Sequence, residues 1–142
     1  METRSNETEE RDRSMNSSWN IVLYGNEAEC TEAIRLLHET FSTRDIGYTY
    51  CSVHTREELK KQLVFGKINL AIILSNGADG MEGVYTVKEY DSNIVVFWFS
   101  NDYGFGIQSH RLECAYFAVK PLTGDKLTKA LNHCDYIGLS FI

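Results

Sequence analysis

Two stretches of the chain are apolar without a break: Leu70-Ala71-Ile72-Ile73-Leu74 and Ile94-Val95-Val96-Phe97-Trp98-Phe99. Runs of this length, bounded by turn residues, suit strands buried on both faces of a parallel sheet. Asn20-Ile21-Val22-Leu23-Tyr24 and Ala115-Tyr116-Phe117-Ala118-Val119 read as strands as well. A fifth stretch, Asp45 to Val53, alternates instead, with Tyr48, Tyr50 and Ser52 set against Thr49, Cys51 and Val53. A period of two with β-branched and aromatic residues predicts an edge-side strand with one wetter face.

Between these runs the apolar period lengthens to three and four. Cys30, Ile34, Leu37 and Phe41 predict a helix from about Glu27 to Ser42 with one buried side. Thr55-Arg56-Glu57-Glu58 has the form of a capping box, in which the Thr55 hydroxyl satisfies a free N–H and Glu58 reaches back to the cap residue. The second helix then runs to about Phe65, with Leu59 and Leu63 facing in, and Gly66 stops it. Ser75 to Gly80 reads as a loop into a third helix through Met81, Val84 and Val87 to about Tyr90. A short, weakly periodic helix from about Gly104 to Glu113 holds two glycines and is expected to be irregular or mobile. Lys120-Pro121 ends the fifth strand, and a last helix from about Gly124 to His133 carries Leu127, Ala130, Leu131 and Cys134 as its buried stripe.

Strict βα alternation with short connections requires right-handed crossovers and a parallel sheet covered on both faces. The expected class is α/β: a (βα)5 three-layer sandwich whose five-stranded parallel sheet has the order 2-1-3-4-5. In such sheets ligands gather at the carboxyl ends of the strands, here near Gly25, Asn26, Ser75 and Ser100.

Composition narrows this little. A chain of 142 residues makes one full-cored domain. Residues 1–17 are polar, hold five acids and three Arg, and read as a disordered leader; residues 18–134 form the domain; 135–142 are a tail with Tyr136, Ile137, Leu139, Phe141 and Ile142. The net charge of −6 gives no reason to bind nucleic acid or an anionic membrane. The polar start and the lack of a long apolar span point to a cytoplasmic protein with neither signal peptide nor membrane helix. Cys30, Cys51, Cys114 and Cys134 form no CxxC pair, and His38, His54, His110 and His133 have no partner at metal spacing. Reduced, buried thiols and no metal site follow. Ser75 lies in no Gly-x-Ser-x-Gly elbow, and no Gly-x-Gly-x-x-Gly follows the first strand, so neither hydrolase nor nucleotide binder is indicated.

Several marks fall in one register. Met81-Glu82-Gly83 lies six to eight residues after Ser75; Ser100-Asn101-Asp102-Tyr103 follows the fourth strand; Lys120-Pro121 comes twenty residues after Ser100; Phe117 stands three before the lysine. With these marks the chain resembles the receiver domain of two-component response regulators over about residues 18–134, and is most similar to the subclass that precedes LytTR-type DNA-binding domains. The resemblance implies a CheY-like receiver fold, with Ser75 at the phosphoacceptor position, Gly25 and Asn26 at the Mg²⁺-binding acidic pair, Ser100 at the Thr/Ser position, Lys120 as the pocket lysine and Phe117 as the switch aromatic.

The departures decide the expected function. A serine hydroxyl cannot form the acyl phosphate of this chemistry and is a poor nucleophile without an adjacent base. Gly25, Asn26 and Ser75 supply no carboxylate, whereas Mg²⁺ sites usually use one or two. Lys120 is left without its usual counter-charge, free to bond Ser75, Asn26 or a backbone carbonyl. The expected function is that of a pseudo-receiver in bacterial two-component-type signalling: no enzyme, no cofactor, no direct nucleic-acid contact. It would act as a phosphorylation-independent interaction or dimerisation module. By the resemblance, the surface is the fourth helix, fifth strand and fifth helix, with Tyr103, Phe105, Ile107, His110, Arg111, Tyr116, Leu122, Lys126 and Lys129. Two alternatives stand beside it: phosphorylation at a non-standard acceptor such as Asp79 or Glu82, and passive binding of a small anion or ligand in an electropositive crevice. No DNA-binding domain follows the fifth helix in the sequence, so either a stand-alone module or one whose effector was cut away is expected.

Overall fold

In a computed structural model of the protein, residues 19–44 and 47–136 are described. The expected leader (residues 1–17), the first two residues of the Asp45–Val53 run and the tail from Ile137 onward lie outside them. The chain alternates β1 (Trp19–Tyr24), α1 (Glu27–Ser42), β2 (Tyr48–Val53), α2 (Arg56–Phe65), β3 (Leu70–Ile73), α3 (Gly77–Tyr90), β4 (Val95–Ser100), a 3₁₀ turn (Tyr103–Phe105), α4 (Gly106–Arg111), β5 (Tyr116–Val119) and α5 (Gly124–Tyr136). All strand pairs are parallel, in the order β2-β1-β3-β4-β5 expected from the sequence.

The sheet divides the core in two. Ile21, Leu23, Leu70, Ile72, Leu74, Val95, Phe97 and Phe99 face one side with α1 and α5 residues such as Cys30, Leu37, Phe41, Leu127 and Leu131. Val22, Tyr24, Ala71, Ile73, Val96 and Trp98 face the other with Leu59, Leu63, Val84 and Val87 of α2 and α3. All residues of β3 and β4 are buried, which is why those stretches tolerate no polar position except the terminal Ser100. The β2 strand lies at the edge, with Tyr50 and Ser52 exposed and Val53 buried, as its alternation requires.

The helix ends show where local rules hold and where they shift. Asn26 caps α1 by accepting from the Glu29 N–H at 2.8 Å, and Thr55 caps α2 from the Glu58 N–H at 3.1 Å. The Glu58 carboxylate reaches one residue further back than a standard box, to the His54 N–H at 2.8 Å, and this bond holds its carboxyl below the usual range. On α1, Ile34 is only half-buried, and Ala33 and Leu36 share the buried face instead. The expected loop from Ser75 to Gly80 is a correction: α3 already begins at Gly77, whose φ of +58° suits glycine. The early start is possible because Gly80 lets the helix press against the Ser75 carbonyl, where a Cβ would sit 2.1 Å from that oxygen. The segment after β4 is irregular as expected, a 3₁₀ turn followed by a six-residue helix. Cys30 and Cys134 are buried, Cys51 and Cys114 half-buried, and none of the four is in a disulfide.

Candidate functional site

Side-chain alternation along β5 carries Tyr116, Ala118 and then Lys120 to the face covered by α1 and α5. The Lys120 side chain is only 13% exposed, so its ammonium needs partners within the protein. It finds two: it donates to the Leu74 carbonyl at the end of β3 and to Glu29 Oε2 at 2.6 Å, in the first turn of α1. Its own backbone N–H donates to the Ser100 carbonyl at 2.8 Å. The Lys120–Pro121 peptide bond is cis.

These contacts correct the expectation of a lysine without a counter-charge, while the Leu74 bond is the backbone-carbonyl alternative expected for it. Lys120 has a counter-charge, supplied by Glu29, a residue that sequence reasoning passed over because it matches no family position. The side chain that shares the lysine's face is Leu74, with Ser75 the next residue along. Leu74 is 1% exposed and continues the inward row of Leu70 and Ile72. A Cβ built on Gly25 would lie 2.8 Å from Leu74 Cβ, so the ends of β1 and β3 close on each other there. Ser75 follows Ile73 in the alternation, toward the opposite face. Its carbonyl accepts the Trp98 indole N–H at 3.2 Å, and its hydroxyl makes no hydrogen bond among the described residues.

The remaining pocket residues are spoken for. Asn26 is exposed, with its oxygen committed to the helix cap. Ser100 is fully buried and its Oγ accepts from the Asp102 N–H at 3.3 Å. The cavity beside Lys120, about 370 Å³, is lined by Glu29, Glu32, Leu74, Lys120, Pro121 and Leu122. Two carboxylates against one ammonium make it no anion trap, which corrects the expected electropositive crevice. Burial pushes the Cys30 thiol up to about 11, with the nearby Glu29 charge adding to the effect and Lys120 opposing it.

This set does not fit Mg²⁺. The ion takes hard oxygen ligands, usually with a carboxylate among them. Gly25 has no side chain, Leu74 is aliphatic, Asn26 caps a helix and Glu29 is held by Lys120. No group of three or more His, Cys, Asp or Glu suited to a metal occurs among the described residues. Asp79 and Glu82 sit on the other side of the sheet, in a separate cavity of about 540 Å³ between α2 and α3. Asp79 accepts from the Tyr24 hydroxyl at 3.1 Å, and Arg56 lies 3.8 Å from Asp79 and 3.3 Å from Glu82.

On the α4–β5–α5 side, Phe117 packs edge-on against the fully buried Trp98 at 5.4 Å between ring centres, and Phe105 tilts onto the same indole at 5.6 Å. Of the two aromatics on the segment after β4, Phe105 therefore folds onto the core, while Tyr103 is 79% exposed. Ile107 is 67% exposed, and His110 and Arg111 are also exposed. Tyr116 is half-buried against Phe97 and Phe99. Leu122 packs on the α1–α5 core, and Lys129 pairs with Asp125 at 3.3 Å. Lys126 is tied to the carbonyls of Val119 and Pro121. The outward-facing part of the surface is thus Tyr103, Ile107, His110 and Arg111, with Lys129.

No protein-family model and no curated protein sequence matches the chain. Solved structures do. A response regulator receiver domain protein from Clostridium thermocellum matches with a TM-score of 0.66 at 18% identity, over 85% of this chain and 98% of that one. An orphan response regulator of H. pylori, HP1043, matches with a TM-score of 0.64 at 13% identity, over 82% and 96%. A protein named for CpaE2 pilus assembly, from Sinorhizobium meliloti, matches with a TM-score of 0.60 at 19% identity, over 81% and 98%. The five parallel strands in the order 2-1-3-4-5, with their helices, match the CheY-like receiver fold. Two of these three are named as response regulators, and the likeness is one of fold.

Proposed function

We propose that this chain is a pseudo-receiver of two-component-type signalling, which works through protein contacts without being phosphorylated. One observation carries the reading: the position that shares Lys120's face at the end of β3 is Leu74, and the lysine is already neutralised by Glu29. We take Leu74, rather than Ser75, to stand where a receiver has its phosphoacceptor. An aliphatic side chain has no nucleophilic atom, and the nearby positions offer no Mg²⁺ ligand set. The protein is read as no enzyme and as needing no cofactor. Its working surface is the α4–β5–α5 side, where Tyr103 and Ile107 are large apolar groups left in solvent. Exposed groups of this kind serve as anchors for a protein partner or a second copy.

The test is incubation with acetyl phosphate and Mg²⁺, and separately with beryllofluoride and Mg²⁺, read by intact mass and thermal unfolding. The reading expects no adduct and no Mg²⁺-dependent gain in stability. An acid-stable stoichiometric phosphate would point to Ser75 and an acid-labile one to Asp79 or Glu82; either would overturn it. For the surface, Ile107→Glu is expected to abolish self-association or partner capture, measured by light scattering. At so exposed a position it should change stability by no more than ~0.5 kcal/mol.

A further inference from the structure

Two consecutive carbonyls at the end of β3 are gripped from opposite faces of the sheet. The Leu74 carbonyl takes the Lys120 ammonium, which Glu29 neutralises at 2.6 Å. The Ser75 carbonyl takes the Trp98 indole N–H at 3.2 Å. Gly80 closes over the second grip, since a Cβ there would meet both the Ser75 oxygen and Trp98 Nε1, at 2.1 and 2.7 Å. Trp98 in turn carries Phe105, which leads into the segment holding Tyr103 and Ile107, and Phe117, three residues before Lys120. The chain of contacts therefore starts at α1, crosses the strand end and comes out under the exposed α4 surface.

We infer that Glu29 is a built-in latch: its carboxylate holds Lys120 on the Leu74 carbonyl, and through the doubly gripped end of β3 it sets the seating of Trp98 and so the state of the α4 surface. The physical basis is charge placement. A Lys120 ammonium that loses Glu29 keeps a single neutral acceptor in a site only 13% exposed. A buried cation with incomplete pairing leaves for solvent or pulls its surroundings with it. Withdrawal of Lys120 frees the Leu74 carbonyl, and the adjoining peptide, whose carbonyl is that of Ser75, loses its fixed orientation. This inference deepens the pseudo-receiver reading by naming what regulates the surface: a fixed intramolecular carboxylate on α1, which a contact displacing Glu29 would release.

The chain has two tryptophans, Trp19 and Trp98, so ¹⁹F NMR of 5-fluorotryptophan-labelled protein gives one signal for each, assigned with Trp19→Phe. Glu29→Gln removes the charge at nearly constant shape. It is expected to shift or broaden the Trp98 signal, leave that of Trp19 in place, and speed amide exchange over residues 98–105 about tenfold or more, the scale of one charge-assisted bond. Lys120→Met should give the same pattern, and the double variant should add little to either. Glu32→Gln, which touches Arg35 rather than Lys120, is the control and should do neither. If Glu29→Gln and Lys120→Met leave Trp98 as Glu32→Gln does, or loosen all amides alike, the latch is wrong. Wild-type protein with beryllofluoride and Mg²⁺ separates the two ideas. A Trp98 shift there refutes the pseudo-receiver reading and leaves the latch to be judged on the Glu29 variants alone.

Discussion

Gly80→Ala is the sharpest test of how this strand end is built. Gly80 lies in the first turn of α3, its N–H bonded to the Asn76 carbonyl at 3.1 Å. An added Cβ would stand 2.1 Å from the Ser75 oxygen, 3.0 Å from the Ser75 carbonyl carbon and 2.7 Å from Trp98 Nε1. Ordinary carbon–oxygen contacts begin near ~3.3 Å, so backbone must move, and no rotamer change relieves it. Forcing a methyl into packed surroundings costs ~1–3 kcal/mol. The Trp98–Ser75 bond lies in its path, and leaving that buried indole N–H unpaired costs a further ~1–3 kcal/mol. Alanine's better helix propensity returns ~1 kcal/mol. The net expectation is a loss of about 3 kcal/mol, with Trp98 emission moving to longer wavelength as the indole loses its burial. Gly106→Ala is the control: its Cβ would meet Phe117 at an ordinary 3.8 Å. That variant should match the parent or gain up to ~1 kcal/mol from the same helix propensity. Urea unfolding with a common m-value measures both. A Gly80→Ala loss within about 1 kcal/mol of the control would mean that α3 does not press on the Ser75 carbonyl as described.

Alkaline pH should weaken the fold in a defined window. Tyr24 is pushed up to about 12 by burial first and then by the Asp79 charge, so its contribution is complete below the unfolded value of 10.0 and is lost as pH rises toward 12. Tyr24→Phe should flatten the fall in unfolding midpoint across that window, and an unchanged slope would contradict the Tyr24–Asp79 contact. Burial raises Cys51 to about 11 and Cys114 to about 12, so both thiols should react slowly with Ellman's reagent in the native protein near neutral pH and all four promptly in denaturant. Fast native labelling of either would count against that burial. Thr55→Ala removes the cap on α2 and should cost ~1 kcal/mol by urea titration, whereas a neutral result would show that Glu58 alone secures that helix end.

Most of the architecture was legible in one dimension because its causes are local or periodic. The unbroken runs at Leu70 and Ile94 could be satisfied only by strands covered on both faces, and the alternation at Tyr48 only by an edge. The bounds of α1 and α2 follow from their caps and stops. The site was less legible. The spacing from Ser75 to Met81-Glu82-Gly83 runs across a stretch that reads as a loop in the sequence. In the structure α3 starts early within that stretch, over Gly80, and alternation along β3 puts Leu74 on the face of Lys120 and Ser75 toward the other. Of the two aromatics near the α4 surface, only contact with Trp98 separates the seated Phe105 from the exposed Tyr103.

What the sequence determined by itself is the βα order and the parallel sheet, since hydrophobic period, caps and residue chemistry act at short range. Which charge meets Lys120, and which strand-end residue lies beneath it, was decided only in three dimensions. Glu29 and Lys120 are 91 residues apart, and no local pattern reports a pairing that exists only after five strands have set α1 beside the end of β5.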